Sequence, residues 1–395
     1  MAAFFTNGAL AASLMARYAE VKNALDLSPA VFGFIVVSFV LGGVLAGQLP
    51  AIALRALGSR VVSCLGTIAL TIFLVLATIG VGTGQLWLLV LALLAAGACD
   101  AVVDVAQNSQ GLRAQQALGR SIINLMHAGW SAGAALGGLV GTLAASRGVP
   151  LPIHIAIWGA LCIIAIIIAT RAYLPDTIGP LTGSEAPSPD ADPTSDTSAS
   201  DQAAPKPSLV SKRTVFLLTA PLVLVALSGI TVEDLANNWS AVFLAQERGV
   251  PLGQAGIGLT TIITAQFIGR LVGDRIVDAL GTRLALQTGL AAVIVGILVA
   301  TWVPSMAVTM AGFALAGFGS AVTVPVAFTE ADRLPGLRAQ TGVTLVSWAM
   351  RVATVVLSPL VGAITTGTSI QLAFTVVAAI AVAGLIASTR VGTRS

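Results

Sequence analysis

The sequence predicts an all-α polytopic membrane protein with about twelve transmembrane helices in two six-helix bundles related by a pseudo-twofold axis. Of the residues, 56% are hydrophobic and 9% are charged, and the mean hydropathy is +0.94. In a typical water-soluble domain, roughly a quarter of the residues are charged. The segment ALGSR at 56–60 returns as ALGTR at 279–283, so the chain contains two copies of one membrane unit.

The apolar runs give the predicted helices in order. Each is roughly 20 residues long, which lets a helix cross about 30 Å of hydrocarbon with its backbone hydrogen bonds satisfied internally. The first run begins at the initiator methionine and lacks the basic residues that precede the core of a secretory signal, so we interpret it as a short first span. The predicted spans are residues 2–19, 29–54, 61–81, 86–106, 122–145, 151–172, 215–235, 256–276, 284–303, 306–328, 343–364 and 370–387.

Between the two sets of six spans, residues 175–213 change to Pro, Ser, Thr, Asp and Ala. This composition is too polar to bury and too rich in proline for a helix, so it predicts a disordered linker. The predicted domains are an N-terminal bundle at 1–174, this linker, and a C-terminal bundle at 214–395.

Basic residues in the short loops predict the orientation, because Lys and Arg concentrate on the cytoplasmic side of membrane proteins. Only Lys22, Arg147 and Arg248 lie on the opposite side. We call the basic side the arginine-rich end and predict that both termini and the linker face the cytoplasm there. The basic residues of this end are Arg55, Arg60, Arg113, Arg120, Lys212, Arg213, Arg275, Arg283, Arg333, Arg338, Arg390 and Arg394.

Enzyme and pump motifs are absent from the sequence. It has no phosphate-binding loop with its lysine and no nucleophile elbow, and its three cysteines lack the spacing of metal ligands. We therefore expect a protein that is not an enzyme and has no cofactor or metal. The expected partners are the lipid bilayer, a small-molecule substrate and protons, with no nucleic acid, and we expect a monomer.

The repeated segment belongs to a longer motif, which reads GDRIVDALGTR at 273–283. It resembles the cytoplasmic loop motif of the major facilitator superfamily. The matching positions are Gly273, Asp278, Gly281 and Arg283. The first half retains Gly58 and Arg60 but has Arg55 where the motif has an acid.

Further positions resemble the bacterial YbjJ-type inner-membrane transporters, which are related to the fucose-permease-like group. Three residues depart from that pattern, namely Leu14, Asn238 and Arg351. The resemblance implies a bacterial inner-membrane secondary transporter that works by alternating access. The matching positions are Asn7, Gly8, Arg17, Asp104, Asn108, Gln110, His127, Trp130, Ser131, Glu233 and Trp239.

In the second half, the loop motif predicts a breakable contact at the arginine-rich end, which we call the latch. Asp278 and Arg283, on either side of the turn at Gly281, are expected to meet Glu330 or Asp332 at the end of the tenth span.

In the first half, the repeat predicts that Arg60 meets Asp104. The alternative for Asp104 is a role in handling protons or substrate. Arg270 is assigned to packing between the bundles at the same end.

Ionisable residues deep in a span require a partner or a hydrated cavity. Asp100, Asp104 and Asn108 are spaced by four and share one helix face. Asp100 is interpreted as part of the transport path and of proton coupling, or else as one member of a buried structural pair.

His127 shares a helix face with Trp130 and Ser131. Its imidazole either carries a coupling proton or is satisfied by Asp104 or a backbone carbonyl. Trp130, in the middle of its span, is interpreted as a cavity wall.

Arg351 lies near the middle of the eleventh span, where a permanent cation has to face inward. The repeat places it opposite Trp130 across the pseudo-twofold axis. We predict that it anchors a carboxylate or other anionic group of the substrate, and the alternative is a fixed salt bridge to Glu233 or Asp100.

The seventh span carries a polar cluster at 233–239, which predicts a broken helix lining the cavity. Glu233 is the candidate proton-coupling carboxylate, and Asp234 is interpreted as facing the loop. The remaining residues assigned to the substrate path are Asn7, Arg17, Asn108, Trp130, Ser131, Asn237, Trp239 and Gln266.

Together these interpretations predict proton-coupled secondary transport of a small polar or amphiphilic solute. Two alternatives remain, since a fold does not fix an activity. One is facilitated diffusion without an ion, and the other is a membrane sensor that binds its ligand without moving it.

Overall fold

The computed structural model describes residues 1–119, 122–176, 212–334 and 341–391, which are almost entirely helical. The predicted linker therefore lies mostly outside the described residues. The helices of the first half are α1 (Ala2–Met15), α2 (Tyr18–Ala24), α3 (Pro29–Leu45), α4 (Leu49–Gly82), α5 (Leu86–Leu118), α6 (Ile123–Ser146) and α7 (Leu151–Ala169). Those of the second half are α8 (Lys212–Asp234), α9 (Ser240–Glu247), α10 (Ile257–Leu280), α11 (Thr282–Trp302), α12 (Met306–Ser320), α13 (Thr323–Asp332), α14 (Thr341–Gly367) and α15 (Ile370–Ser388).

The predicted fold class is confirmed. Ten helical segments in the described ranges are long and apolar enough to cross a membrane, with α8–α9 and α12–α13 each counted as one segment. With α1 and the shorter apolar helix α3 they make the twelve spans of two bundles. Large aliphatic side chains such as Leu45 and Ile386 are exposed on the outside, as expected where lipid is the solvent.

The predicted second span was wrong at its end. Helix α3 stops at Leu45, and residues 49–57 belong to α4, which bends at Gly58 (φ 74°, ψ 161°). Gly281, between α10 and α11, has nearly the same conformation (φ 76°, ψ 155°). Only glycine adopts such a left-handed backbone without strain, so the sequence repeat encodes the same turn in both halves.

The predicted break in the seventh span was also wrong. A π-helical segment, Leu235–Trp239, joins α8 to α9, and the helix continues to Glu247. The polar side chains need no break because they are satisfied by protein: Asn238 donates a hydrogen bond to Asp234 at 2.9 Å, and Ser358 of α14 donates another at 2.8 Å. A π turn is a common way to accommodate such a site without losing the helix.

The two halves touch closely at the end opposite the arginine-rich end, which we call the closed end. There, a Cβ added to Gly33 would lie 2.4 Å from the carbonyl oxygen of Ser358, and one added to Gly256 would lie 2.5 Å from that of Ala16. The Phe32 ring packs edge-on against Trp239, with centroids 5.3 Å apart. These backbone and ring contacts leave little room for solvent between the halves.

Candidate functional site

A first polar cluster lies on α5 and faces the junction of the two halves. Asn108 donates hydrogen bonds to the Asp104 carboxylate at 3.0 Å and to the Asp104 carbonyl at 2.9 Å. One turn away, Asp100 lies close to the side chain of Asn7 from α1. The spacing of four residues thus places these groups on one face, as the sequence predicts.

A second cluster surrounds Arg270 of α10. Its Nη2 donates to Glu233 Oε1 of α8 at 2.6 Å, and its Nη1 donates to Ser131 Oγ of α6 at 2.8 Å. Gln266 donates to Glu233 at 3.0 Å and also lies 3.2 Å from Ser320. Because Ser131 belongs to the first half, Arg270 bridges the two bundles through one guanidinium.

His127 connects the two clusters. It lies close enough to interact electrostatically with Asp104 in its own half and with Arg270 in the other half. Asp104, His127, Arg270 and Glu233 therefore form a series of ionisable groups that crosses the interface. Charges interact more strongly at such a partly buried site than in bulk water, because the effective dielectric constant is lower.

Arg351 is exposed although it lies well inside α14. It interacts electrostatically with Asp104 across the interface. The ion pairs of the described residues do not include Arg351, and Glu233 pairs with Arg270. The alternative of a fixed salt bridge from Arg351 to Glu233 was therefore wrong, and none is formed with Asp100.

The carboxylate of Asp234 is buried, so the prediction that it faces the loop was wrong. Ser358 donates to it and accepts a hydrogen bond from Trp239 Nε1 at 3.1 Å. Trp239 is fully buried at the closed end and Asn237 is half-buried, so Trp239 lies in the wall of the junction. Sequence reasoning missed Ser358, although it is two turns from Arg351 on the same helix face.

Arg17 is paired within its own half. It is buried at the closed end, where it forms a bidentate pair with Glu20 through hydrogen bonds of 2.7 Å. Trp130 is half-buried on α6, next to the glycines that pack against α1. The predicted placement of Arg17 on a solute path is thus not supported by its surroundings.

The predicted latch contacts are not formed in this conformation. Gln110 of α5 hydrogen-bonds Ser59, the neighbour of Arg60, and Asp104 lies about 9 Å further along α5; the ion pairs of the described residues do not join Asp104 to Arg60. In the second half, Glu330 pairs with Arg333 at 3.7 Å on its own helix.

The remaining second-half latch residues do not form the predicted contact either. Asp278, Gly281 and Arg283 are exposed. Arg270, about two turns further into the membrane on the same helix α10, makes a contact between the bundles through Ser131.

The loop motif of the first half has Arg55 in place of an acid, but a distant part of the chain supplies an acid to this loop. Asp176, just after α7, accepts hydrogen bonds from the Ser59 amide at 3.0 Å and the Ser59 hydroxyl at 2.7 Å, and pairs with Arg113. Burial alone would raise the pKa of Asp176, but these bonds hold it below its ordinary value. Gln110 adds a bond to the Leu174 carbonyl at 2.9 Å.

The described residues contain no group of three or more side chains suited to hold a metal ion. The cluster at the junction instead consists of carboxylates, one imidazole, two guanidinium groups and amides. These groups bind protons and polar or anionic solutes.

Comparison with known proteins agrees with this architecture. The model of the family described as Major Facilitator Superfamily matches residues 1–276 and 224–394. An uncharacterised MFS-type transporter of Yersinia pestis is 28% identical over 354 residues, covering 88% of this chain and 84% of that protein. An uncharacterised transporter of Sinorhizobium fredii is 26% identical, over 84% of this chain and 80% of that protein.

Solved structures share the fold at low sequence identity. A variant of the nucleoside transporter NupG superposes with a TM-score of 0.70 at 14% identity, over 98% of this chain and 97% of that one. A bacterial homologue of the human lysosomal transporter Spinster, in an inward-facing and unoccupied conformation, gives 0.67 at 15% identity, over 98% and 95% of the two chains.

Proposed function

Because the chain belongs to the major facilitator superfamily, we propose that it is a proton-coupled secondary transporter of a small polar or amphiphilic solute. The family and its structural neighbours support membrane transport. The observation that carries the finer proposal is the Arg270 guanidinium, which holds Glu233 in one half and Ser131 in the other.

Alternating access is the proposed mechanism of movement. The two halves are in backbone contact at the closed end, while His127 and Arg351, which both interact with Asp104 between the halves, are exposed. A cleft that opens toward the arginine-rich end accounts for this exposure. With that end in the cytoplasm of a bacterium, the protein is inward-facing in the inner membrane and both termini are cytoplasmic. We expect it to function as a monomer.

Proton coupling follows from what protonation does to the Arg270 bridge. An ionised Glu233 holds the guanidinium at 2.6 Å; once protonated, it loses most of that attraction. Arg270 is then free to leave Ser131, and the contact between the halves weakens. Proton binding at Glu233 and separation of the halves are therefore linked, and linkage is reciprocal.

The proposed solute carries an anionic group. Arg351 is the cation that reaches the cleft without an ion pair among the described residues, and Asp104 lies across from it. A carboxylate on the solute would displace Asp104 as the partner of Arg351. Trp130 and Asn108 remain candidates to contact the rest of the solute.

The test begins with purified protein and a thermal-shift screen of carboxylate-containing metabolites. Arg351→Ala is expected to abolish the stabilisation while the variant still elutes as a folded protein in size-exclusion chromatography. Wild-type affinity in Arg351→Ala would reject the anchor.

A hit is then tested for transport in proteoliposomes with an imposed pH gradient. We expect gradient-driven accumulation in the wild type and only equilibration in Glu233→Gln, since a glutamine cannot release a proton. Asp26→Asn, which changes an exposed acid outside the central site and the latch, is the matched control and should transport normally. Uptake that ignores the gradient would support facilitated diffusion, and binding without uptake would support a sensor.

A further inference from the structure

A buried cluster of ionisable groups at the closed end lies apart from the central site. His154 of α7 lies 2.9 Å from Ser13 Oγ of α1 through its Nε2, and both side chains are buried. Arg17, which follows α1, is 2% exposed and interacts electrostatically with His154. Two buried nitrogens, His154 Nδ1 and Arg17 Nη1, have no hydrogen-bond partner among the described residues.

This cluster adjoins the seal between the halves. The chain turns out of helix at Ala16 and Arg17, between α1 and α2. The Ala16 carbonyl is the group that would lie 2.5 Å from a Cβ on Gly256 of the second half. Ser13, which contacts His154, is one turn earlier on the same helix. A change of charge at His154 therefore acts within one turn of a contact that closes the protein.

We propose that His154 is a proton-binding site of the closed end, and that protonation there opens the seal. With a neutral imidazole the buried charges balance, because Glu20 neutralises Arg17. Protonation places a second cation beside Arg17 in the same buried space. Water is then the main means of stabilising the added charge. Opening the closed end supplies that hydration, so external acid favours the outward-open state.

Arg17 is the charged group that acts on His154 among the described residues. α1 carries no charged side chain, and the outer part of α4 packed against α7 carries none either. Lys22 on α2 interacts with the exposed Asp26, and Arg147, ahead of α7, is exposed. In the second half, Arg248 hydrogen-bonds the Ala300 carbonyl beside Glu247.

The inference rests on the proposed alternation between the two ends and is independent of coupling at Glu233. His154 is one of only two histidines in the chain, so His127→Gln isolates it. A second control is available on the same helix pair: Trp158 donates to the Ala9 carbonyl at 3.0 Å. Trp158→Phe removes that bond, one turn along from the His154 contact, without touching a titratable group.

The experiment measures the distance between spin labels across the seal. Ser146→Cys and Gln254→Cys place labels on exposed residues of the two halves, and Gly253 already lies against Ala145. The native Cys64, Cys99 and Cys162 are replaced by Ala in this parent protein, and Glu233→Gln and His127→Gln remove the central groups that would also respond to pH. We expect the ratio of open to closed protein to rise about tenfold between about pH 8 and about pH 5.

The variants decide the outcome. Adding His154→Gln to the parent should leave the distance distribution indifferent to pH, whereas adding Trp158→Phe should leave the response of the parent unchanged. A parent without a pH response, or a response that persists with His154→Gln, overturns the inference. Should His154→Gln fail to fold, the Arg17→Gln/Glu20→Gln double variant serves instead, and an undiminished tenfold response there overturns it.

Failure of the inference and failure of the proposed function give different results. A second label pair at the arginine-rich end, Arg60→Cys and Asp278→Cys, reports on the other side of the cleft. Labels at both ends that never move, with or without the solute, reject alternating access and this inference together. Labels that move with the solute but not with pH reject only the role of His154.

Discussion

Two equivalent helix pairs, α1 with α6 in the first half and α8 with α14 in the second, pack in different ways. In the first pair, Cβ atoms added to Gly133, Gly137 and Gly141 would lie 2.0, 2.1 and 2.4 Å from carbonyl oxygens of α1. We call this row the glycine seam. The repeat aligns Gly137 with Ser358 and Gly133 with Thr354, so the seam is absent from the second pair.

The second pair is joined by polar contacts and leaves free space. Ser358 hydrogen-bonds Asp234 and Asn238 of the seventh span, and a groove of about 500 Å³ opens beside them. We call it the lipid groove, since its lining is apolar and faces outward. Its residues are Leu227, Thr231, Trp348, Ala349, Val352, Ala353, Val356, Leu357 and Ile380.

The difference shows how one repeated unit supports two mechanical roles. Backbone contact through small residues fixes two helices at one distance and tolerates no added atom. Hydrogen bonds through side chains can be exchanged as helices shift, and a groove leaves room for that shift. We infer that the first half is the stiffer support, and that α14, which carries Arg351 and meets α3 at the closed end, is free to adjust against α8.

The largest expected effect is at the glycine seam. In Gly137→Val the Cβ alone would lie 2.1 Å from the Ala9 carbonyl oxygen, and the valine adds two methyl groups to it. The overlap can be relieved only if α1 and α6 separate. We expect a loss of about 3 kcal/mol or more in the free energy of unfolding, measured by denaturant titration in detergent. Gly82→Val is the matched control, because a Cβ there meets nothing within 4 Å. Equal stability of the two variants would refute the seam.

A smaller effect is expected at the polar contact of the second half. Ser358→Ala removes the hydroxyl that binds Asp234, Asn238 and Trp239, and leaves buried polar groups without one of their partners. The expected cost is about 2 kcal/mol, by the same titration. Ser146→Ala is the control, since that exposed hydroxyl binds only the carbonyl of Leu143. A cost as large as that of Gly137→Val would erase the distinction between the two pairs.

A still smaller effect distinguishes the two loop turns at the arginine-rich end. Asp176 holds the first-half turn through Ser59 and Arg113, whereas Asp278 of the second half is exposed. Asp176→Asn should lower Tm by about 1–3 °C at neutral pH, and Asp278→Asn should not change it. The pKa of folded Asp176 lies below its ordinary value.

The depressed pKa fixes the sign of the pH dependence. The contribution of Asp176 is complete above its ordinary pKa and is lost as pH falls through the lower folded value. The difference in Tm between the wild type and Asp176→Asn should therefore shrink in acid. A difference that grows as the pH falls would contradict the assignment of a carboxylate accepting hydrogen bonds.

The sequence predicted the helices better than it predicted their partners. Apolar length and the repeat determine which residues span, and the glycine turns at 58 and 281 follow from one motif. Side-chain pairing depends instead on depth and on helix rotation, which no local pattern encodes. Arg60 was matched with Asp104, but the two form no ion pair among the described residues, and Asp176 was missed because the segment around it resembles the linker in composition.

The same limit explains the central site. Spacing by four placed Asp104 and Asn108 together, because that relation lies within one helix. The bridge from Arg270 to Ser131 joins different halves, and no spacing predicts it. Ser358 was overlooked because a lone serine in an apolar run is an ordinary packing residue, and only the approach of α14 to the π turn brings it to Asp234.

The smallest expected effect tests the lipid groove directly. Ala353→Leu adds three carbons toward open space on α14, so we expect a change within about 0.5 kcal/mol in the free energy of unfolding. Ala134→Leu makes the same change in the seam, where that residue is buried against Gly8, and should cost about 1–3 kcal/mol. Denaturant titrations of both variants in one detergent compare the two helix pairs. If Ala353→Leu is as costly as Ala134→Leu, α14 is packed as tightly as α6, and the second half has no freedom for its arginine to adjust.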